Sequence, residues 1–587
     1  MSSLFIRSLC CTVHHDHIFF SLFMNSIKLS LLAAFLFLSV VGAASASAID
    51  SSAIPNPADI GRIKPEEKML RSRPKAQARA KEAGGLPSVQ APEGAEHIRF
   101  ILKDIHITGT TIFSQKELEP LFADYRTTEI SLKTAYDIAH KITKHYQNAG
   151  YFLSVAYLPD QEISDGTIKM QVVEGYIADV HMPKSLASYS LISSYVHNIT
   201  QQRPLRAKTL ESLLLLINDL PGLSAKGTLS ELNDAHDGGV ELTIETSEEQ
   251  GTGLVSFDNY SSRFLGPHQG TLSYTDSFIP FHQTNISGLM SAPTDKLKFF
   301  SLGHNIAITP DITFEFAGNH TQAAPGFTLK PFEIDSTANF LSGSFRYQFL
   351  RQREQNLALR VNLDMRNTTT ESLNTEIAQD HIRALRLAAE YDMIDHWDGY
   401  TIINAQFSQG IGGLGSTPEG DTKLSRQQAS PDFSKIELSV TRIQALSDQW
   451  SFIISAASQI ASDPLYSAEE FGYGGQGFGR AFDASEIIGD SGVLGSLELR
   501  YSEWKEPKPV GFEPYVFYDM GRIWNKDSGQ PARESGSSIG FGVRATTEFN
   551  MSGNLGIAFP VNRDVVTPIY GDKNNHPRLL LEITHSF

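Results

Sequence analysis

The sequence predicts two small α+β domains followed by a transmembrane antiparallel β-barrel of roughly sixteen strands. Three observations carry that prediction: strict two-residue alternation throughout the second half, a secretory leader at the front, and a last strand that ends in Phe587. In LALRVNLDMR the positions Leu357, Leu359, Val361, Leu363 and Met365 are apolar, while Arg360, Asn362, Asp364 and Arg366 take the other face. The pattern returns at Leu385, Leu387, Ala389 and Tyr391, at Leu497, Leu499 and Tyr501, and at Leu579, Leu581 and Ile583. A water-soluble sandwich could alternate in the same way. The leader, the many strands of about ten residues and the terminal aromatic favour a membrane instead. A terminal aromatic is the usual mark of outer-membrane barrels, with His585 a less usual residue at its place.

The leader explains the one long apolar run. Leu29 to Val41 follows Lys28 and precedes Ala46-Ser47-Ala48, the charged, apolar and small-residue order of a signal peptide cleaved after Ala48. The residues before Met24 are either an extended leader or a misassigned start. Cys10 and Cys11 both lie there, so the mature chain carries no cysteine, as suits an oxidising periplasm. Residues 1–48 are therefore leader and signal peptide.

Composition excludes several classes. Hydrophobic residues make up 41% and charged residues 20%, which fits amphipathic strands better than apolar helices. The formal net charge of −17 becomes about −18 once a leader bearing Arg7 and Lys28 against Asp16 is removed, so nucleic acid is not an expected partner.

From Asp59 to Gly84 the chain is helix-prone and basic, with Arg62, Lys64, Lys68, Arg71, Arg73 and Lys75 outweighing Glu66 and Glu67. Pro65 suits a first turn, whereas Pro74 divides or kinks the helix. A solvated charged helix is the plain reading of this segment, 49–83. Residues 84–97, rich in Gly and Pro, form a linker.

Residues 98–175 read strand, helix, helix, strand, strand: ILKDIHITG, a helix near Ser114 to Phe122, then Leu132, Ala135, Ile138, Ala139, Ile142 and Tyr146 at helical spacing, then YFLSVAYLP and GTIKMQVVEG. Residues 176–249 repeat the order: YIADVHMP, a poorly marked helix, a helix around Leu210 to Leu220, and strands near Leu223 to Glu231 and Gly239 to Thr246. Residues 250–587 are the barrel. Counted back from its end, the strands fall near Pro577 to Phe587, Gly553 to Val561, Ser537 to Phe549, Glu513 to Trp524, Val493 to Glu503 and Trp450 to Ala461. Short connections at Asn550 to Ser552 and Trp504 to Phe512 are the periplasmic turns, so the longer ones face outside.

The outside connection between Ser462 and Gly492 is about thirty residues long, a length usually functional or disordered. Its centre reads FGYGGQGFGRAFDASEIIGDSG. With this segment the chain resembles the TpsB transporters of two-partner secretion, the haemolysin secretion/activation (ShlB/FhaC/HecB) type. The resemblance implies a sixth external loop folded back into the pore, with a tip written Val-Arg-Gly-Tyr/Phe in the family and Gly479-Arg480-Ala481-Phe482 here. It also implies an acidic partner for the Arg in a Phe-x-Asp motif on a later strand, matched by Phe517 and Asp519. Alternation independently turns Tyr515, Phe517, Asp519 and Gly521 inward, with Val516, Tyr518 and Met520 facing lipid. An inward Asp opposite an inward-folded Arg would form a charge-assisted, bidentate contact whose value is positional rather than stabilising.

The resemblance covers most of the mature chain. HYQNAGYFLSVAYLPDQEISDGTIKMQVVEGYI resembles the end of a first POTRA domain, through Gly150, Tyr151, Pro159, Gln161, Gly166, Glu174 and Gly175. FDNYSSRFLGPHQG resembles the start of the family's barrel, with Asp258, Asn259 and Gly266 in matching places. The charged segment from Asp59 resembles its plug helix. The implied function is export: periplasmic POTRA domains capture an unfolded secreted partner, a large exoprotein of adhesin or haemolysin kind, and the barrel passes it across the outer membrane. The implied surroundings are outer-membrane lipid and the barrel-assembly machinery that inserts the strands.

Rival readings are a barrel-assembly insertase, which normally carries more POTRA domains, a passive solute porin, and a surface adhesin anchored by its own barrel. Catalytic signals are weak. The run Gly475 to Arg480 lacks the strand-to-helix setting and the Lys-Ser/Thr ending of a phosphate loop. His140 and His145 are five apart and do not make a zinc pair, so they read as surface or packing residues. Asn285-Ile286-Ser287 fits a glycosylation pattern that means little in a bacterial barrel. No catalytic residue, metal or cofactor is expected.

Overall fold

The computed structural model describes Ala58 and residues 90–587, apart from 164, 188–189, 232–237, 249–250, 503–508 and 567–574. The expected leader (1–48), all of the charged segment 49–83 except Ala58, the first part of the linker 84–97 and most of the turn Trp504 to Phe512 lie outside the described residues.

In the first domain β1 (Arg99–Ile101) pairs with β3 (Glu129–Ser131), and β2 (Asp104–Thr108) lies parallel to β5 (Thr167–Val173), which also pairs antiparallel with β4 (Val155–Tyr157). Two helices cover the β2-β5-β4 sheet. The first, α1 (Gln115–Leu118), starts on a capping box between Ser114 and Glu117, satisfying donors that the helix itself leaves open. The expected helix from Ser114 to Phe122 is α-helical only in this first turn. Pro120 has no N–H to continue the ladder, and two 3-10 turns, Glu119–Leu121 and Ala123–Tyr125, replace it. The second, α2 (Leu132–Asn148), is capped by Ser131 and buries Ala135, Ile138, Ala139, Ile142 and Tyr146, the face its spacing predicts. His140 is exposed and His145 packs edgewise on Phe113, ring centroids 4.7 Å apart.

Residues 176–248 repeat this topology: β6 (Tyr176–His181), α3 (Lys184–Ala187), α4 (Ser190–Gln201), α5 (Ala207–Asn218), β7 (Leu223–Glu231) and β8 (Gly239–Glu248). Strand β8 lies between a parallel β6 and an antiparallel β7, as β5 does between β2 and β4. The helix that the sequence marks poorly is α4. Its Ser, Thr and Asn content is weak in helix propensity, yet Ile192 and Ile199, two turns apart, are both buried. The two units join tightly: Leu153 enters the second core, Leu205 N donates to Gly175 O at 2.9 Å, and Arg206 Nε donates to Tyr151 Oη at 3.0 Å.

The barrel begins with β9 (Thr252–Asp258), β10 (His268–Asp276), β11 (His282–Ala292), β12 (Leu297–Thr309), β13 (Ile312–Ala323) and β14 (Ile334–Arg351). It continues with β15 (Gln355–Ser372), β16 (Thr375–Ile394), β17 (Gly399–Gly410), β18 (Ser434–Ala445) and β19 (Trp450–Ala461). Two short strands, β20 (Phe471–Tyr473) and β21 (Ile487–Gly489), pair within the next loop. The wall resumes with β22 (Ser491–Tyr501), β23 (Val510–Trp524), β24 (Arg533–Thr547), β25 (Met551–Asp564) and β26 (Arg578–Ser586). Sixteen antiparallel strands close when β26 pairs with β9 from Glu582↔Asp258 to Ser586↔Leu254, so the barrel leaves no open edge. The expected strand at Trp450 to Ala461 falls on β19 end for end, and the other five lie on β22 to β26 with ends shifted by a few residues.

Alternation sets the two surfaces. Leu359, Val361 and Leu363 are exposed on the outside, as are Val516, Tyr518 and Met520, while Tyr515, Phe517 and Asp519 are buried inside. At the periplasmic end Phe278, Phe349, Trp397, Trp450, Phe512 and Phe549 stand exposed, the aromatic belt of a membrane interface. No helix among the described residues is long and apolar enough to cross a membrane.

The second small domain is seated on the barrel's periplasmic turns. Phe281 and Ala307 from the turn regions complete its apolar core. Arg351, at the end of β14, donates to both carboxylate oxygens of Asp219 at 2.5 and 2.8 Å, and its carbonyl accepts from Ser212 Oγ at 2.7 Å.

Candidate functional site at the tip of loop six

Loop six, residues 462–490, leaves β19, forms the β20-β21 hairpin and sends its tip against the inner wall of β22 to β24. Gly479 has a φ of +80°, and a Cβ there would come within 2.6 Å of the Tyr473 ring, so a side chain is excluded both by the backbone and by space. This turn aims Arg480 at the wall.

Every nitrogen of Arg480 donates there. Nε and Nη2 donate to Asp519 Oδ2 and Oδ1 at 3.0 and 2.8 Å, and the backbone N–H adds a third bond to Oδ2 at 3.0 Å. Nη1 reaches Glu498 Oε2 at 2.6 Å, and Nη2 also reaches Ser496 Oγ at 3.1 Å. The guanidinium lies over the Phe517 ring, 3.4 Å from its centroid. Asp519 is fully buried and is satisfied further by the hydroxyls of Ser496 at 2.8 Å and Ser538 at 3.2 Å. Ser496, Asp519 and Ser538 are register partners on three neighbouring strands, so the wall presents its acceptor from a rigid platform. A buried charge pair of this kind is tolerable because both Asp519 oxygens and all three guanidinium nitrogens are hydrogen-bonded.

The rest of the tip is fitted as closely. The Tyr473 and Phe482 rings meet edge to face, centroids 5.0 Å apart. They occupy space that two wall glycines leave open: a Cβ on Gly536 would stand 2.7 Å from both rings, and one on Gly521 2.4 Å from Tyr473. Ala481 is buried beside them. On the far side Arg563 pairs with Glu486 and covers Phe482 at 4.3 Å, while Arg578 reaches the Phe482 carbonyl and pairs with Asp483 at 3.1 Å.

The structure thus brings together Gly479, Arg480, Ala481, Phe482, Phe517 and Asp519. Sequence reading overlooked Glu498, held among Arg480, Arg500 and Arg544. It also overlooked Ser496, Ser538, Arg563 and Arg578. The signal for Glu498 was present, since it is the inward residue between Leu497 and Leu499. Nothing local distinguishes the serines.

The POTRA-motif residues lie elsewhere and mainly build the first domain. Gly150 follows α2, and Tyr151 stacks edgewise on Tyr146. The Gln161 carboxamide accepts from Lys169 N and donates to Lys169 O, both at 2.7 Å, and also donates to Pro159 O at 3.2 Å. Gly166 O accepts from Lys103 N at 2.7 Å. Glu174 accepts from the N–H groups of Thr111 and Ile112 at 2.8 and 3.1 Å, from the Thr111 hydroxyl, and from Tyr146 Oη at 2.8 Å. Burial raises its pKa, but these hydrogen bonds outweigh it and hold the carboxyl below the ordinary range. Gly175 lies at the joint between the two units. At the barrel seam, Asn259 hooks β26: its Oδ1 accepts from Leu581 N at 2.9 Å and its Nδ2 donates to Leu579 O at 2.9 Å.

Residues 311–544 match the family of the haemolysin secretion/activation proteins ShlB/FhaC/HecB, and residues 100–175 match the ShlB-type POTRA domain. The chain belongs to the ShlB/FhaC/HecB family. This family supplies the TpsB transporters of two-partner secretion: outer-membrane β-barrels with periplasmic POTRA domains, which are not enzymes and which work with a secreted TpsA partner. Among similar proteins are the outer membrane transporter CdiB of Dickeya dadantii, 22% identical with 78% of this chain and 83% of that one covered, and the heme/hemopexin transporter protein HuxB of Haemophilus influenzae, 22% identical over 83% and 89%. The solved structure of CdiB from Escherichia coli superposes with a TM-score of 0.66 at 18% identity, covering 86% of this chain and 94% of that one. CdiB from Acinetobacter baumannii gives 0.59 at 13%, covering 92% and 100%. These likenesses establish the TpsB fold.

Proposed function

We propose that this TpsB transporter takes an unfolded exoprotein from the periplasm through residues 98–175 and 176–249, read as two POTRA domains, and passes it through the barrel of residues 250–587. Strands β4 and β7 stand at the outer edges of their three-stranded sheets, where an extended cargo segment can add by main-chain hydrogen bonding with little demand on sequence. The plug reading of 49–83 draws support from Ala58, which packs with Phe264, Leu329 and Ile334 inside the external end.

The observation that carries the reading is the clamp of Arg480 on Asp519, Glu498 and Phe517. It fixes Gly479 to Phe482 against the wall, and we read these four residues as a positional lock whose partners are Phe517 and Asp519. Transport proceeds when the tip leaves this seat and the plug moves, and folding of the emerging chain outside supplies direction. The cargo is of the large adhesin or haemolysin-like kind. The test is expression of the full chain with the large secreted protein encoded beside it, measuring cargo in the medium and its periplasmic cross-links to β4 and β7. Small-solute conductance with no cargo accumulation would make the protein a porin and overturn the reading.

A further inference from the structure

Loop five, residues 411–433, is the longest external connection after loop six. It exists because β16 outruns β17: their pairing stops at Ala384↔Gly410, with the external end of β16 still to be covered. Loop five takes the vacant side. Ile411 N donates to Arg383 O and Thr417 N to His381 O, both at 2.9 Å, while Gln379 N donates to Lys423 O at 2.6 Å. The chain then turns over the mouth and buries Leu424, Ala429 and Phe433 against Leu465, Tyr466 and Ala468 of loop six.

At the centre of this contact lies Arg426, 3% exposed. It donates to Asp490 Oδ1 and Oδ2 at 2.6 and 3.2 Å and to Leu465 O at 2.7 Å. It also pairs with Glu470 at 3.3 Å and Asp527 at 3.8 Å. Asp490 in turn accepts from Leu465 N at 2.8 Å and from Lys526 N of loop seven at 2.7 Å. Leu465 and Glu470 belong to the incoming stem of loop six, and Asp490 to its outgoing stem. One guanidinium of loop five therefore ties both stems of loop six to each other and to loop seven. A fully desolvated bidentate pair has little freedom to slide, because losing either partner leaves an uncompensated buried charge. Freeing the tip at Arg480 leaves this second attachment intact.

We propose that Arg426 is a second positioning residue for export, holding loops five, six and seven as one cap over the external mouth, so that cargo leaves only when this contact breaks and loop six parts from loop five. The proposal rests on the transport reading. Ser467 N donates to Ser425 Oγ at 3.3 Å, which makes these two positions neighbours across loops five and six. Cysteines occur only at 10 and 11, so an engineered pair meets no competing thiol in a chain cleaved after Ala48. The test uses the full chain carrying Ser425→Cys and Ser467→Cys, measured for cargo export in cells and for channel opening in planar bilayers, oxidised and then reduced. Oxidation should abolish export and silence channel openings, and reductant should restore both, which a merely structural bond would not do. Arg426→Gln, with normal barrel heat-modifiability, should raise the frequency of openings several-fold. Wild-type export and conductance by the oxidised protein would overturn the proposal. If the unmodified chain exports no cargo the transport reading fails by itself, and the bilayer arm still decides the cap.

Discussion

The Arg480 guanidinium lies over the ring of Phe517 while its edge is paired with Asp519, two residues further along the same strand. One planar group is thus read by a face and an edge at once. An ammonium can do neither in this way, because it is a compact point charge without a plane. Arg480→Lys should therefore lower cargo export nearly as far as Arg480→Ala, by roughly tenfold or more given the usual weight of a bidentate contact. Barrel insertion, followed by heat-modifiability on gels, should stay normal. Wild-type export by both variants would remove the lock.

Asp519→Ala leaves Arg480 with Glu498 but without its two-point partner, a loss that in buried pairs is typically about 3–5 kcal/mol. If the two residues act as one unit, the double variant Arg480→Ala with Asp519→Ala should export no worse than the poorer single variant. Multiplicative losses in a double-mutant cycle of export rates would show instead that they act separately.

Gly536 tests the packing half of the seat. Gly536→Leu places atoms where the Phe482 and Tyr473 rings lie, and both rings are fully buried. The tip should leave the wall with Arg480 and Asp519 chemically unchanged. Limited trypsin digestion of protein in outer membranes should cut after Arg480 in this variant and spare it in the wild type.

The carboxyl of Glu174 has a pKa held below the ordinary value by hydrogen bonds from Thr111, Ile112 and Tyr146, against the opposing effect of burial. A depressed folded pKa stabilises the domain above the unfolded value, near 4.3, and that contribution disappears as pH falls through the lower, folded value. Hydrogen exchange at the Thr111 and Ile112 amides should accordingly speed up as the medium is acidified below about pH 4, after correction for intrinsic exchange. In Glu174→Gln these amides should exchange faster already at neutral pH, with little further acid dependence.

Where the second small domain meets the barrel, two contacts invite comparison. The Arg351–Asp219 pair is partly exposed on the Asp side, and such pairs contribute about 0–1 kcal/mol. Phe281 is buried in the domain core, where truncation typically costs about 3–5 kcal/mol. Asp219→Ala should leave exchange protection in α5 nearly unchanged, and Phe281→Ala should lower it markedly. The reverse order would mean that charge, not apolar burial, seats the domain.

Much of this was legible because β-barrels write themselves in a two-residue period. A residue such as Asp519 can be assigned to the lumen from Val516, Tyr518 and Met520 alone, and the last six wall strands follow from where alternation stops. Helix α2 was equally plain, since Ala135, Ile138, Ile142 and Tyr146 mark one face. Helix α4 was not, because its Ser, Thr and Asn residues blur the pattern that Ile192 and Ile199 carry. Loop five also escaped, for Arg426 stands among polar loop residues with no period at all, and its carboxylates lie on other loops distant in the chain.

The sequence by itself determined the order of architectures and the inward or outward sense of wall residues such as Leu359, Val516 and Asp519, because local periodicity is set by neighbours along the chain, while the candidate pair Arg480 and Asp519 came from the resemblance of two short motifs to a known family. Closure of β26 on β9, the platform of Ser496, Asp519 and Ser538, and the gathering of three loops on Arg426 were decided only in the tertiary structure. Strand register and loop path depend on contacts between residues far apart in the chain, and no local period encodes them.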